Sequence, residues 1–139
     1  MFKYILVPTD LTEKSLNALE VAVKIAGHDL SRVMLLHVIE TIEDAEYAEF
    51  EDFYAKLKRR ALRRMEQILQ RYESLELTIG KEISYGKRVK TIVQFAQDTG
   101  VDLIVLSSHQ IDMGSPAQGW GTISYKVSIL SHCPVMLVK

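Results

Sequence analysis

The sequence predicts an α/β fold: a doubly wound, mostly parallel five-stranded sheet with helices on both faces. Three observations carry this expectation. Five short apolar runs alternate with segments of helical periodicity along the 139 residues. Most of these runs are continuous rather than alternating, as befits strands covered on both faces. Each connection between runs is long enough for a helical crossover, which a parallel pair requires.

The first strand is read at residues 2–7. After it, Leu16, Leu19, Val23 and Ala26 recur at helical spacing, with Thr12 or Asp10 placed to cap the start and Gly27 to end the helix. The second strand covers 33–39. Between residues 42 and 72, Phe50, Phe53, Leu57, Ala61, Met65, Ile68 and Tyr72 fall three or four apart, the stripe of a long amphipathic helix. Its acids come first (Glu43, Asp44, Glu46, Glu49, Glu51, Asp52) and its bases later (Lys56, Lys58, Arg59, Arg60, Arg63, Arg64). That order complements the helix dipole and marks a solvated face rather than a docking surface.

A weaker, alternating third strand spans 75–84, with Leu75, Leu77, Ile79 and Ile83 apolar. Val89, Ile92, Val93 and Ala96 then form a helical stripe that Gly100 closes. The fourth strand is 103–106. Ile123, Val127 and Leu130 outline a short last helix, which Pro134 keeps from continuing, and residues 135–138 form the fifth strand.

The chain is expected to be one domain, residues 1–139, since this length is close to the commonest domain size and sustains a core without staples. Hydrophobic residues make up 47% and charged residues 25%, with a net charge of −1. No global field draws the chain to nucleic acid, and no run approaches the ~20 apolar residues that cross a bilayer. The lone cysteine, Cys133, has no Cys or His partner at metal-ligand spacing and reads as structural. With no disulfide possible, a reducing, cytoplasmic setting is expected.

In a doubly wound sheet, ligands bind beyond the carboxyl ends of the strands, where strand order reverses. Two segments are expected to flank that crevice: Pro8-Thr9-Asp10 after the first strand, and the loop from Ser107 to Trp120 after the fourth. The second leads through Gly114, Gly119 and Gly121 to Thr122, where a helix start can attract an anion.

Four separated segments resemble the universal stress protein family, in the family's order. The opening Tyr4-Ile5-Leu6-Val7-Pro8-Thr9-Asp10-Leu11-Thr12-Glu13-Lys14-Ser15 is similar to a hydrophobic strand followed by V-P-x-D-x-S-x-x-S. His37-Val38 resembles the end of the family's second strand. Gly100-Val101-Asp102-Leu103-Ile104-Val105-Leu106-Ser107-Ser108-His109 is similar to G-A-D-L-I-V-M-G-S-H. Gly121-Thr122 and Ser131-His132-Cys133-Pro134-Val135-Met136-Leu137-Val138 resemble the closing G-S and C-P-V-L-V-V. The resemblance implies strand order 3-2-1-4-5, a homodimer, and a role in stress response or signalling. It also implies ATP, with Mg²⁺ or Mn²⁺, bound between strands one and four. By position, Pro8, Thr9, Asp10 and Val38 would line the adenosine end. Ser107, Ser108, His109 and Gln110 would form one phosphate loop, and Gly121, Thr122, Ile123 and Ser124 the other. Ser107 and Gln110 stand where the family pattern has glycine, and one extra residue precedes Gly121. These departures keep open a second reading, a non-ATP-binding dimeric interaction module.

Other chemistry finds little support. His28, His37, His109 and His132 are scattered, no G-x-S-x-G elbow surrounds Ser107 or Ser108, and no Walker-type phosphate loop is present. Slow ATP hydrolysis is the most that is expected. Trp120 reads as a packing anchor, and Gly86-Lys87-Arg88 as an exposed helix start. The fifth strand would be an apolar sheet edge, so residues 135–139 are the expected dimer contact.

Overall fold

The computed structural model describes residues 1–41, 47–108 and 122–139, with backbone only at 28, 29, 47 and 48. Five strands, β1 (Tyr4–Pro8), β2 (Arg32–Ile39), β3 (Ile79–Tyr85), β4 (Leu103–Ser107) and β5 (Val135–Val138), pair in parallel throughout in the order β3-β2-β1-β4-β5. Four helices lie among the described residues: α1 (Leu16–Asp29), α2 (Glu51–Gln70), α3 (Arg88–Thr99) and α4 (Ile123–Leu130). The sheet is thus all-parallel, and its order is the one the resemblance implied.

The period of two along each strand divides the apolar runs between two cores. Ile5, Val7, Val33, Leu35, Leu103 and Val105 face α1 and α2, meeting Leu19, Ala22, Met65 and Ile68. Leu6, Leu36, Val38, Ile104 and Leu106 face α3 and α4, meeting Ile92, Ala96 and Val127. Ile5, Leu6, Val7, Leu35, Leu36, Ile104 and Val105 are completely buried. Covering on both faces is why these runs show no polar alternation.

The chain builds outward from β1 to β3 on one side, then returns to lay β4 and β5 on the other. Right-handed crossovers put α1 and α2 on one face and α3 and α4 on the opposite face. The order reverses between β1 and β4, whose loops leave for opposite faces. Their ladder has only two registered pairs, Ile5 with Leu103 and Leu6 with Ile104. Asp102 reinforces it: its carboxylate accepts the N–H groups of Lys3 at 2.9 Å and Tyr4 at 3.0 Å, and its own N–H donates to the Tyr4 carbonyl at 3.0 Å.

Several local expectations are corrected. α1 runs through Gly27 and ends at Leu30, which takes the left-handed conformation at φ 54° and leaves its side chain 80% exposed. Gly100 does close α3, at φ 75°, a conformation glycine adopts without a Cβ penalty. On α2 the buried aromatic is Tyr54 rather than Phe53, which is half exposed. Tyr54 packs edge-on against Tyr85 of β3 with centroids 6.0 Å apart. Leu130 on α4 faces solvent, and β3 begins at Ile79, four residues later than its apolar pattern. No helix among the described residues is long and apolar enough to cross a membrane.

Replacing Asp102 by alanine should lower the unfolding free energy by about 2 kcal/mol, measured by urea denaturation, because two N–H groups lose a charged acceptor. Asp102→Asn should lose less, since its side-chain oxygen retains one bond.

Candidate functional site

The loops after β1 and β4 open a cleft of about 390 Å³ at the carboxyl rim, within the range of small-molecule sites. One wall is apolar, from Leu36 and Val38 of β2, Ile92 of α3 and Leu106 of β4. The polar lining comes from Thr9, Asp10, Thr12, Ser15, Ser107, Ser108, Thr122 and Ser124. Lys14 and Arg88 bring positive charge to its lining.

The β1 loop is held in shape by its own side chains. The Thr9 N–H donates to the Leu36 carbonyl at 2.9 Å, and the Thr9 carbonyl accepts Nδ1–H of His37 at 2.9 Å. The acceptor has no proton, so the Nδ1 tautomer of His37 is fixed, and the residue is structural. The Thr9 hydroxyl pairs with that of Ser15 at 2.6 Å and accepts the Leu11 N–H at 2.9 Å. Thr9 therefore shapes the turn, in which Leu11 takes φ 69°.

Asp10, at the cleft mouth, accepts the hydroxyl of Thr12 at 2.6 Å and its N–H at 3.0 Å. Burial acts to raise the Asp10 carboxyl. Bonds from the Thr12 hydroxyl and N–H and from Ser15, with the charge of Arg88, outweigh it and hold the group below its ordinary value. The cleft thus carries an ionised acceptor at neutral pH.

Neither Asp10 nor Thr12 caps α1. Ser15 occupies the N-cap position without a side-chain capping bond. The cap comes instead from β4: the Ser107 hydroxyl accepts the Ala18 N–H at 3.3 Å and donates between the carbonyls of Lys14 at 3.1 Å and Ser15 at 3.0 Å. Ala18 is the third residue of α1, the N–H that a capping oxygen normally takes. Ser107 is thus an N-cap supplied from 89 positions away. Its side chain ties the two cleft-forming loops together.

Ser108, 2% exposed, donates its N–H to the Val138 carbonyl at 2.8 Å, and its hydroxyl accepts that of Ser124 at 3.1 Å. Thr122 is the N-cap of α4, as expected, and its hydroxyl lies 3.3 Å from that of Ser124. The Thr122 side chain itself makes no capping bond to α4.

Of the expected site residues, Pro8, Thr9, Asp10, Val38, Ser107, Ser108, Thr122, Ile123 and Ser124 all line this one cleft. His109, Gln110 and Gly121 lie outside the described residues, as do Gly114, Gly119 and Trp120. Sequence reasoning missed Thr12, Lys14, Ser15, Leu36, Ile92, Leu106 and Arg88 as lining residues. Ser15 closes the opening pattern, and Arg88 belongs to the Gly86-Lys87-Arg88 turn, so both carried a signal. Thr12 and Lys14 lie inside that same opening segment, and Leu36, Ile92 and Leu106 are apolar residues whose facing no local pattern specifies. Among the described residues no three His, Cys, Asp or Glu side chains cluster to hold a metal.

The cleft mouth is also tied to α2. Glu13 accepts from Arg64 and Arg71, each at 2.9 Å, while Arg64 Nε donates to the Leu11 carbonyl at 3.3 Å. The hydrogen bond from Arg71, then that from Arg64, draw the Glu13 carboxyl down from 4.5 to about 2. A depressed folded-state value means that the stabilisation is present above 4.5 and is lost as pH falls toward 2. Glu13→Gln should therefore melt below the native protein at pH 7, and the gap should close as pH falls through that window in thermal unfolding.

The universal stress protein family model matches residues 1–139. A universal stress protein of Methanocaldococcus jannaschii is 30% identical over 162 residues, covering all of this chain and 96% of that protein. Among solved structures, universal stress protein UspA from Lactobacillus plantarum has a TM-score of 0.81 at 24% identity, over 99% of this chain and 98% of that one. A universal stress protein in complex with cAMP has a TM-score of 0.74 at 19% identity, over 99% and 97%. These two structural likenesses concern the fold.

Proposed function

The chain belongs to the universal stress protein family, and on that premise we propose that it binds an adenine nucleotide, ATP with Mg²⁺ or Mn²⁺, in the cleft between β1 and β4. The role served is stress response or signalling. The observation that carries this reading is the lining of the cleft: apolar residues suited to a base, an ionised carboxylate, and the hydroxyl-bearing start of α4. A base fits against Val38, Leu36 and Ile92. Asp10, held ionised, accepts from ribose hydroxyls or the exocyclic amine. Phosphate oxygens face the start of α4, where Thr122 and Ser124 add hydroxyls and the helix dipole favours negative charge. Arg88 and Lys14 add to the positive field. The cAMP complex within the family supports a ligand of this class.

Isothermal titration with ATP and Mg²⁺ tests the reading directly. Micromolar binding is expected, with Asp10→Ala weakening it about tenfold, the effect of losing one charge-assisted hydrogen bond. Millimolar or absent binding would remove the proposal. One observation favours the second reading, a dimeric interaction module without nucleotide. Ser107, where the family pattern has glycine, commits its hydroxyl to capping α1 instead of leaving open backbone at the loop. Excess absorbance at 260 nm in purified protein, traced to nucleotide by mass spectrometry, would exclude that alternative.

In either reading the protein works as a homodimer through residues 135–139. β5 is an edge of the sheet. The carbonyls of Pro134 and Val138 accept from Ile104 and Ser108 of the β4 side, so by alternation the peptide groups of Val135 and Leu137 face outward. An open apolar edge of this kind invites pairing with a second copy. Val135→Pro removes an outward N–H without breaking the β4–β5 ladder. It should convert dimer to monomer in sedimentation velocity with little change in unfolding temperature; an unchanged dimer would refute pairing at this edge.

A further inference from the structure

The geometry points to Lys139 as the residue that makes the cleft prefer phosphate-bearing nucleotides to the bare nucleoside, an assignment that rests on the nucleotide reading above. Its ammonium donates to the buried Ser108 hydroxyl at 3.3 Å and to the Tyr125 phenol oxygen at 2.6 Å, and stands 4.7 Å from the centre of the Tyr125 ring. Ser108 and Ser124 line the cleft and are 2% and 6% exposed. The Ser124 hydroxyl donates to the same Ser108 oxygen at 3.1 Å. The cation therefore stands one hydroxyl away from the corner where the end of β4 meets the first turn of α4. That corner is where the proposed ligand places its phosphate.

Three features make this more than a surface lysine near a helix. Its position is set by the sheet: Ser107 pairs with Val138, and Ser108 N–H donates to the Val138 carbonyl at 2.8 Å, so residue 139 emerges beside Ser108 by register. A serine and a tyrosine hydroxyl oxygen both accept from the ammonium, which holds it beside that corner. The buried hydroxyl pair, Ser108 and Ser124, links the cation to the cleft lining through an oriented chain in a region of low dielectric, where charge interactions with an anion are strengthened. A compact ammonium suits a phosphate as a point charge. Nothing in the chemistry of adenine or ribose requires a cation here. The effect of Lys139 should fall on the phosphate portion alone.

The test titrates ATP, AMP and adenosine into the native protein, Lys139→Met and Lys139→Arg, with ligand-free thermal unfolding to verify that each variant is folded. Lys139→Met is expected to weaken ATP and AMP about tenfold or more while leaving adenosine within about twofold, and Lys139→Arg to restore most of the loss. Equal weakening of all three ligands would mean that Lys139 only packs β5 against α4, and would overturn the assignment. So would unchanged ATP and AMP affinity in Lys139→Met. If the native protein takes neither adenosine nor ATP, the nucleotide reading itself fails and this assignment falls with it. The adenosine arm separates the two failures.

Discussion

The carboxylate of Asp102, taking the N–H groups of Lys3 and Tyr4, fixes β4 alongside β1, and the cleft follows from that placement. β1 and β4 are adjacent in the sheet but separated by nearly a hundred residues, and their own ladder is short. Every other neighbouring pair, β1 with β2, β2 with β3 and β4 with β5, is consecutive in the chain. The β1–β4 contact is therefore where the two halves of the sheet join. It is also where crossovers leaving for opposite faces part the loops and open a crevice. Stability and site geometry share one constraint.

The same joint is tied a second time at its carboxyl end, by Ser107 capping α1. Asp102 and Ser107 bracket β4 from below and above, one bonding the start of β1 and the other the helix that follows it. The chemistry of the rim then divides by element. The β1 loop is internally hydrogen-bonded through Thr9, Thr12 and Ser15, which fixes the ionised Asp10. The β4–α4 side supplies hydroxyls and a helix start. Arg64 and Arg71 of α2 brace the first loop from outside through Glu13. The polar side chains of the β1 loop are engaged with one another, so that side of the cleft is preformed.

Much of this was legible beforehand because period and run length are local properties. The continuous runs at 33–39 and 103–106 announce strands buried on both faces, and the motif segments carry the cleft-lining residues. Phe53 and Tyr54 show where local reasoning stops. Both suit a helical stripe, and only the presence of Tyr85 on β3 decides that Tyr54 turns inward. Leu30 shows the same limit. Gly27 has the residue type that ends helices, yet α1 runs on to Asp29, and Leu30 takes the left-handed conformation instead.

By itself the sequence determined the alternation of strands and helices, the all-apolar core strands, and the identity of most residues that meet at the cleft. It did so because burial on two faces and helical periodicity are written in the order of the side chains. Only the tertiary structure decided that Ser107 caps a helix 89 positions away, that Arg88 and Ile92 reach the cleft, and that Lys139 stands beside Ser108. Those are relations between segments distant in the chain, set by strand register and crossover direction, and neighbouring residues carry no record of them.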